Sequence, residues 1–244
     1  MNKELVIYVR KDLNMRKGKM AAQSAHAAMK MLLDAMDKKE DSFILNTNQS
    51  KDFNEWLKNP VVRIQMVKDE DELNSALDKS KPYTIIQDSG RTEFHGVETV
   101  TCAAQGIFDE FPFEGLEVKS IYGSDIKAKQ VIVFTKEAPL AKEIACELAA
   151  LSCLLNLSKK MKNVNNTKLL DLKNEKALKD WVMNAFAKIA VSLNSKDELK
   201  ILEKELMENK IHSELVSNGD NYCLCIEPQH PEIIDFYTKS LKLI

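Results

Sequence analysis

The sequence has few features that would tie it to a metal, a disulfide scaffold or a membrane. Its five cysteines, at positions 102, 146, 153, 223 and 225, include no Cys-x-x-Cys pair. An odd number of scattered cysteines predicts reduced thiols in a cytoplasmic protein, with no zinc or other metal site. The longest apolar run, residues 144–157, is short and contains Glu147, so it does not predict a transmembrane helix. The charged residues that open the chain predict no secretory signal.

The chain also lacks a large net charge, which is −2 over 244 residues. This argues against a nucleic-acid-binding protein that works through overall positive charge. The first 30 residues differ, because their local net charge is +5: Lys3, Arg10, Lys11, Arg16, Lys17, Lys19 and Lys30 against Glu4 and Asp12. A confined basic patch of this kind predicts contacts with a few phosphate groups.

An alanine-rich segment, residues 15–31, is the centre of the sequence. The run of helix formers after Gly18 predicts a helix over residues 18–36. Lys19, Gln23 and His26 have the i, i+4, i+7 spacing that places them on one helix face. The N-terminus of a helix also suits an anion, so this face predicts a phosphate-bearing ligand or a developing oxyanion. From spacing alone, a solvated lysine, a surface glutamine and a core histidine remain the alternative.

Hydrophobic periodicity predicts a mixed α/β fold in the first half. Strands are predicted at residues 3–10, 61–67, 83–87 and 99–104, helices at 18–36, 53–58 and 69–79, and a loop at 37–52. Asp69 is the predicted cap of the last helix. The turn Asp88-Ser89-Gly90-Arg91-Thr92 follows the third strand. The order of elements implies a mixed sheet with helices packed on it.

The second half repeats this pattern. Strands are predicted at residues 130–135, 188–193, 211–216 and 222–226, a long helix at 143–157, and a polar insertion at 156–176. Trp181 follows Trp56 by 125 residues in a similar setting. We therefore predict two tandem small domains, at residues 1–122 and 123–244, each a four-stranded mixed sheet with helices packed on it. Such copies can pack as an intramolecular pseudo-dimer, which predicts a monomer.

The two copies serve as an internal comparison. When their long helices are aligned at a separation of about 123 residues, Lys19, Gln23 and His26 fall on a lysine, a cysteine and an alanine, at positions 142, 146 and 149. The turn at residues 88–92 falls near 216–220, which has no Asp-x-Gly-x-Thr pattern. The second copy thus holds its fold without these polar groups. This favours functional roles for Gln23, His26 and Asp88.

Two stretches resemble the signature of the type 2 peptidyl-tRNA hydrolases: residues 9–27, VRKDLNMRKGKMAAQSAHA, and 86–92, IQDSGRT, followed by Gly96 and Thr99. The resemblance covers residues 3–107. It implies a small α/β domain that hydrolyses the ester between a nascent peptide and the terminal ribose of tRNA. It implies functional groups at these positions: Lys19, His26, Asp88, Thr92 and Thr99, with Asp12, Lys17 and Gln23 nearby. We expect no cofactor.

The sequence departs from the family pattern in places. Val97 follows Gly96 where the family usually has serine, and residues 103–106 replace its usual Ile-Gly-Pro-like turn. The family's closing pattern occurs instead at residues 226–228 and 234–243. The second copy therefore resembles a degenerate member that kept the scaffold and lost the site.

Ester hydrolysis requires an activated water and a stabilised oxyanion. We expect Asp88 to orient or deprotonate the water, and Lys19 with the helix N-terminus to face the oxyanion or a phosphate. His26, about 10 Å along the helix from Lys19, is expected to be a hydrogen-bonding partner. Thr92 and Thr99 are expected to hold the water or the peptide carbonyl. No Ser-His-Asp nucleophile motif is visible, so no acyl-enzyme is expected.

Basic side chains are expected to contact tRNA phosphates, with Asp12 and Gln23 as further substrate-binding residues: Arg10, Lys11, Arg16, Lys17 and Arg91. Phosphate contacts carry affinity without sequence readout, so binding should weaken with salt. The alternative is a non-catalytic RNA-binding or adaptor protein, in which the departures after Gly96 have silenced the first copy. Retention of the polar helix face and Asp88 favours the enzyme.

Overall fold

A computed structural model describes residues 3–91, 93–112 and 126–244, together with the backbone of residues 117–120. The first half contains β1 Leu5–Arg10, α1 Lys17–Asp34, β2 Asp37–Lys39, β3 Ser42–Leu45, α2 Thr47–Lys58, β4 Val62–Val67, α3 Glu70–Ala76, β5 Tyr83–Asp88, a 3-10 turn at Phe94–Gly96, β6 Thr99–Gln105 and β7 Glu117–Ser120. The second half contains β8 Lys129–Thr135, α4 Lys142–Ser158, β9 Met161–Val164, β10 Thr167–Asp171, α5 Lys176–Met183, β11 Ala187–Leu193, α6 Lys196–Glu208, β12 Ser213–Asn218, β13 Asn221–Ile226, α7 Pro231–Thr238 and β14 Lys242–Leu243.

The two halves share a four-stranded arrangement, β4-β1-β6-β5 and β11-β8-β13-β12, which confirms the predicted duplication, and their fifth strands, β7 and β14, lie at opposite edges of it. The first sheet has the strand order β4-β1-β6-β5-β7, and the second has β12-β13-β8-β11-β14. In each, the first strand of the copy is central, with a parallel partner on one side (β4 or β11) and an antiparallel partner on the other (β6 or β13). The four predicted strands of each copy are present, and each sheet has one further edge strand, β7 or β14, that was not predicted.

A third sheet joins the halves, which corrects the predicted loop at residues 37–52 and gives the predicted polar insertion at 156–176 two strands. Its order is β2-β3-β10-β9, and β3 pairs antiparallel with β10 between Leu45 and Lys168. Phe43, Leu45 and Leu170 from this sheet are buried. Each hairpin has only two strands, and an isolated two-stranded hairpin is at best marginally stable in water. The strand that stabilises each hairpin lies in the other copy, so a local sequence pattern does not predict the pairing.

Helix α2 begins earlier than predicted, and α3 begins as predicted. The Asn46 side chain accepts hydrogen bonds from the backbone N–H groups of Asn48 and Gln49, so α2 starts at Thr47 and not at Phe53. The Asp69 carboxylate accepts from Glu72 N–H, which confirms the predicted cap of α3. The predicted junction between residues 122 and 123 lies outside the described residues.

Helix α1 lies at the centre of the molecule. It packs on its own sheet through β1, β5 and β6, and on the second copy through α4 and β11. Nearly all of its residues are therefore buried, including the alanines at 21, 25, 27 and 28. Small side chains allow close approach on several sides without loss of helix propensity. Of the described residues, none belongs to a helix with the length and apolar character needed to cross a membrane.

Candidate active site

The carboxylate of Asp88 is held by two side chains of α1. Its Oδ2 atom accepts a hydrogen bond from Lys19 Nζ at 2.5 Å and another from Gln23 Nε2 at 2.7 Å. The side chains of Lys19 and Asp88 are 15% and 11% exposed, so the ion pair is largely shielded but open to a ligand. The predicted proximity of the strand-end carboxylate and the helix lysine is confirmed, across 69 residues of sequence.

The turn after β5 fixes the other oxygen of the same carboxylate. Asp88 Oδ1 accepts from Gly90 N–H at 2.8 Å. Gly90 has φ of +76°, and a Cβ atom there would lie 2.5 Å from the carbonyl oxygen of Val97. Only glycine fits this position, because the left-handed backbone and the close approach both exclude a side chain. The turn chemistry of Asp88-Ser89-Gly90 thus positions the site as well as reversing the chain.

Thr101 orients Gln23, and the sequence analysis did not identify it. Its buried hydroxyl lies 3.1 Å from Gln23 Oε1 and 3.3 Å from the carbonyl oxygen of Ile86. Contact with the Gln23 oxygen leaves the amide NH₂ group to donate to Asp88. The β5–β6 register shifts next to Ile86, so that Cys102 and Val100 are paired and Thr101 is not. A threonine in a strand is an ordinary sign of β structure, and only this bulge reveals its position.

His26 lies deeper along α1 and contacts the second copy. Its Nδ1 atom is 3.3 Å from Lys188 Nζ on β11, and its ring centroid is 5.5 Å from that of Phe186. Burial lowers the pKa of the imidazole well below 6.5, and the positive charges of Lys188 and Lys19 lower it further. The imidazole is therefore neutral at physiological pH. This placement agrees with the expectation of a hydrogen-bonding partner.

Both copies line the cavity beside Asp88. Its volume is about 460 Å³. The first copy contributes the polar side, including Lys19, Gln23, His26, Asp88 and Arg91. Among the described residues, the second copy contributes a mainly apolar side, with Lys188 as its one charged residue: Ile126, Ala185, Ala187, Lys188, Ile189, Ala190, Leu243 and Ile244. The cavity is thus chemically divided along the junction between the copies.

The helix N-terminus is less open to an anion than predicted. Gly18 N–H donates to the carbonyl oxygen of Ile244 at 3.2 Å. A Cβ atom at position 18 would lie 2.7 Å from that oxygen, so glycine permits the contact. One backbone donor of the first turn is therefore already used by the second copy. The donor beside Asp88 is the Lys19 ammonium and not the backbone N–H group of Gly18.

Thr99 and Thr92 are the two threonines expected in the site. Thr99 pairs in register with Asp88 across β5 and β6, and its hydroxyl donates to the carbonyl oxygen of Val97 at 3.0 Å. It is half-buried at the edge of the site. Thr92 lies outside the described residues.

Arg10 and Asp12 are not placed as the sequence predicts. The Arg10 guanidinium, 10% exposed, donates to both carboxylate oxygens of Asp12, to Glu70 and to the carbonyl oxygen of Val100. Its donors are satisfied within the protein, so the proposed contact of Arg10 with tRNA phosphate is corrected to a structural role, and Asp12 is its partner. The acidic partner on α3 was not visible from the local sequence.

The remaining basic residues predicted to bind tRNA differ in their exposure and in their position relative to the cavity. Lys11 and Arg91 are exposed, and Lys17 is half-buried. Arg16 is exposed and pairs with Glu93 at 2.7 Å. Arg16 and Arg91 both line the cavity. These four residues stay candidates for phosphate contacts.

Replacing Arg10 tests its structural role. Arg10→Met should lower the free energy of unfolding by about 1–3 kcal/mol, because it removes several charge-assisted hydrogen bonds. Urea denaturation measures this, with exposed Lys11→Met as the control that leaves stability unchanged. A fully stable Arg10→Met protein with weakened tRNA binding would instead return Arg10 to the phosphate-binding group.

The structure corrects the alignment of the copies and strengthens the comparison. The last pair of β1 and β4, Arg10 with Val67, corresponds to the last pair of β8 and β11, Thr135 with Leu193. The long helix begins seven residues after Arg10 in the first copy and seven residues after Thr135 in the second. The offset is thus 125 residues and not 123. Lys19, Gln23 and His26 then correspond to apolar residues: Ile144, Leu148 and Leu151. The last pair of β5 and β6, Asp88 with Thr99, corresponds to the last pair of β12 and β13, Asn218 with Asn221.

The chain is an α/β protein of two copies, with a carboxylate–ammonium pair in the first copy beside the cavity. The sequence model of the family "Peptidyl-tRNA hydrolase PTH2" matches residues 3–110 and again residues 128–244. The chain therefore belongs to the peptidyl-tRNA hydrolase PTH2 family, in two copies.

Archaeal relatives match about one copy of the fold. The chain is 37% identical over 113 residues to a peptidyl-tRNA hydrolase of Sulfolobus acidocaldarius, covering 42% of this chain and 85% of that protein. It is 39% identical over 112 residues to one of Metallosphaera sedula, covering 42% and 85%. It is 39% identical over 118 residues to one of Sulfurisphaera tokodaii, covering 43% and 86%. These matches cover the N-terminal half, which carries the polar site.

Proposed function

We propose that this protein hydrolyses the ester bond of peptidyl-tRNA, releasing peptide and tRNA, at the site around Asp88. The observation that carries the proposal is the contact of Asp88 Oδ2 with Lys19 and Gln23 on the polar side of the cavity. In the second copy the positions of Lys19 and Gln23 hold Ile144 and Leu148, and that of Asp88 holds the uncharged Asn218, so the fold forms there without the carboxylate–ammonium pair. Membership of the family and the names of the relatives support the substrate class.

Asp88 is the proposed general base. Each carboxylate oxygen has two lone pairs, and the contacts with Lys19, Gln23 and Gly90 leave one able to accept from a water molecule. The water oxygen forms a bond to the ester carbon while its proton moves to Asp88. The bond from carbon to the ribose oxygen then breaks, and the leaving oxygen takes up the proton from Asp88, which restores the carboxylate. No covalent enzyme intermediate is formed.

Lys19 is the proposed electrostatic partner. Its ammonium is fixed beside Asp88, where a tetrahedral intermediate would form, and a preorganised donor stabilises developing negative charge. Gln23, held by Thr101, restrains the Asp88 carboxylate. We assign Thr99 and Thr92 to holding the water or the peptide carbonyl.

Four basic residues are the proposed tRNA contacts: Lys11, Arg16, Lys17 and Arg91. Arg16 and Arg91 line the cavity, and Lys11 and Lys17 belong to the basic first 30 residues, while the rest of the chain is acidic overall. Binding through phosphates alone should weaken steeply with salt.

We further propose that the protein is a monomer, because α4 already covers α1 as a partner subunit would. We propose that the junction between the two domains lies at residues 122 and 123. The free cysteines of the described residues support a cytoplasmic protein.

A release assay tests the proposal. The purified full chain, incubated with peptidyl-tRNA labelled in the peptide, should yield free peptide and intact tRNA with multiple turnovers. The control is the same substrate without protein. Binding of the tRNA without release of peptide would overturn the hydrolase and favour an RNA-binding or adaptor protein.

A further inference from the structure

The second copy also has a polar residue at a position where the first copy has an apolar one. In strand register, Leu5 opposite Val62 in the first sheet corresponds to Gln130 opposite Lys188 in the second. Val62 is buried, so the fold accepts an apolar residue at this position. The second copy has a lysine there. A lysine facing the interior costs free energy, so a position that tolerates valine requires another reason for lysine.

Lys188 occupies an aromatic corner next to the candidate active site. Its Nζ atom lies 3.6 Å from the ring centroid of Phe186 and 4.4 Å from that of Trp181. The same atom lies 3.3 Å from Nδ1 of His26, on the first copy. An ammonium over aromatic faces is attracted by their electron density. The corner thus holds the lysine head against the imidazole.

The backbone at this corner is in an unusual conformation. Phe186 has φ of +52°, which is strained for a bulky residue. Its ring packs against Trp181, with centroids 3.9 Å apart. Strained conformations of this type persist only where the surroundings enforce them, and they occur often at functional sites. Here the strained residue places its aromatic ring beside both Lys188 and His26.

The surroundings of Lys188 disfavour its charge. Lys30 and His26 face it from α1, Cys153 from α4 and Cys225 from β13. Burial lowers the pKa of Lys188 to about 7, Cys153 and Cys225 act in the opposite direction, and Lys30 lowers the pKa slightly further. Within the described residues, Lys188 forms no ion pair with a carboxylate. The protein therefore keeps an energetically unfavourable group at the junction.

We propose that Lys188, supplied by the second copy, is a positioning residue of the active site that fixes the tautomer of His26. The ammonium donates to Nδ1, so the imidazole proton resides on Nε2. The second copy is thereby a functional part of the site and not only a scaffold. The inference rests on the proposed hydrolase function for its kinetic readout, but its structural readout does not depend on activity.

The effect depends on pH with a definite sign. Below about pH 7, Lys188 is an ammonium and donates to the neutral imidazole. As the pH rises through about 7, the amine loses its proton and can donate or accept, so it no longer selects one tautomer. The contribution of Lys188 is therefore largest below pH 7 and declines above it.

Lys188→Met tests the proposal, because methionine keeps the length of the side chain and removes the donor. At pH 6.5, kcat should fall about tenfold with little change in KM, a loss typical of one hydrogen bond to a charged group. The ratio of wild-type to variant kcat should approach one by pH 9. Lys188→Arg, which keeps a permanent donor, should retain activity and lose this pH dependence.

Two controls separate a positioning role from a structural one. Lys168→Met removes another buried lysine with a pKa lowered by burial, on β10 and outside the cavity, and should leave kcat unchanged. Lys188→Met should also raise thermal stability at pH 7, because it removes a desolvated charge. A drop in stability with an unchanged pH profile would show a structural lysine and overturn the proposal.

Nitrogen NMR of the His26 ring gives a readout that needs no substrate. At pH 6.5 the wild-type protein should show a single Nε2–H tautomer, and Lys188→Met should show a mixture. An unchanged tautomer in the variant overturns the inference even if the protein is an active hydrolase. Failure of the wild-type protein to release peptide would contradict the proposed function alone, and the NMR result would still decide the role of Lys188.

Discussion

Asp88→Asn should lower kcat for peptide release by about 10³-fold, within the range found for loss of a general base. The amide has nearly the same shape as the carboxylate, but it does not take up the proton of the attacking water. It also loses the charge that Lys19 and Gln23 now hold. Single-turnover release of labelled peptide from bound peptidyl-tRNA measures the effect on the chemical step directly.

The control for this variant is in the turn that precedes the same strand. Asp78 accepts from Ser80 N–H at 3.0 Å, much as Asp88 accepts from Gly90, but it does not line the cavity. Asp78→Asn should therefore leave kcat unchanged. The fold should tolerate Asp88→Asn, because the second copy has Asn218 at the corresponding position. Release at the wild-type rate by a folded Asp88→Asn protein would remove Asp88 from the mechanism.

Lys19→Met should lower kcat by about 10²-fold, the loss typical of one electrostatic contact in the transition state. The separate values of kcat and KM distinguish two roles. If Lys19 faces the developing oxyanion, kcat falls and KM changes little. If it instead binds a phosphate of the tRNA, KM rises and kcat is retained.

The matched control is an exposed lysine on another helix. Lys58 pairs with Glu55 on α2 and does not line the cavity, so Lys58→Met should change neither constant. Steady-state kinetics on peptidyl-tRNA at constant salt gives both values. A rise in KM alone for Lys19→Met would contradict the role beside the oxyanion.

The polar face of α1 could be predicted because helical spacing is a local property. Lys19, Gln23 and His26 share a face at any position of the helix in the fold. Asp88 was identified from turn chemistry and from the family signature. Its contact with Lys19 joins residues far apart in the chain, and the family resemblance, not spacing, led to that pairing.

Other features depend on non-local contacts and were missed or misassigned. Arg10 looked like a free base, since its partner Glu70 lies sixty residues away. Thr101 looked like an ordinary strand residue until the bulge placed it against Gln23. The sheet that joins the halves was not predicted: its segments were interpreted as a loop and a polar insertion, because its strands are short and find their partners in the other copy. Lys188 belongs to the same group, since only the packing of the copies brings it to His26.

The comparison of the copies assigns complementary roles to them. The first copy has the polar residues at the α1 face, where the second has Ile144, Leu148 and Leu151. The second copy has Lys188 where the first has Val62. Each copy thus shows that the fold does not require the polar groups of the other. Polar groups that the fold does not require, gathered around one cavity, are best explained by its chemistry.

A double-mutant cycle on Asp88 and Lys19 tests the central claim most directly, namely that this carboxylate and this ammonium act as one catalytic unit. Single-turnover release would be measured for the wild type, for Asp88→Asn, for Lys19→Met and for the double variant. Residues that act as a unit are strongly non-additive. The account predicts that the double variant releases peptide about as slowly as Asp88→Asn alone. Losses that multiply would contradict it, because they would show two independent contributions.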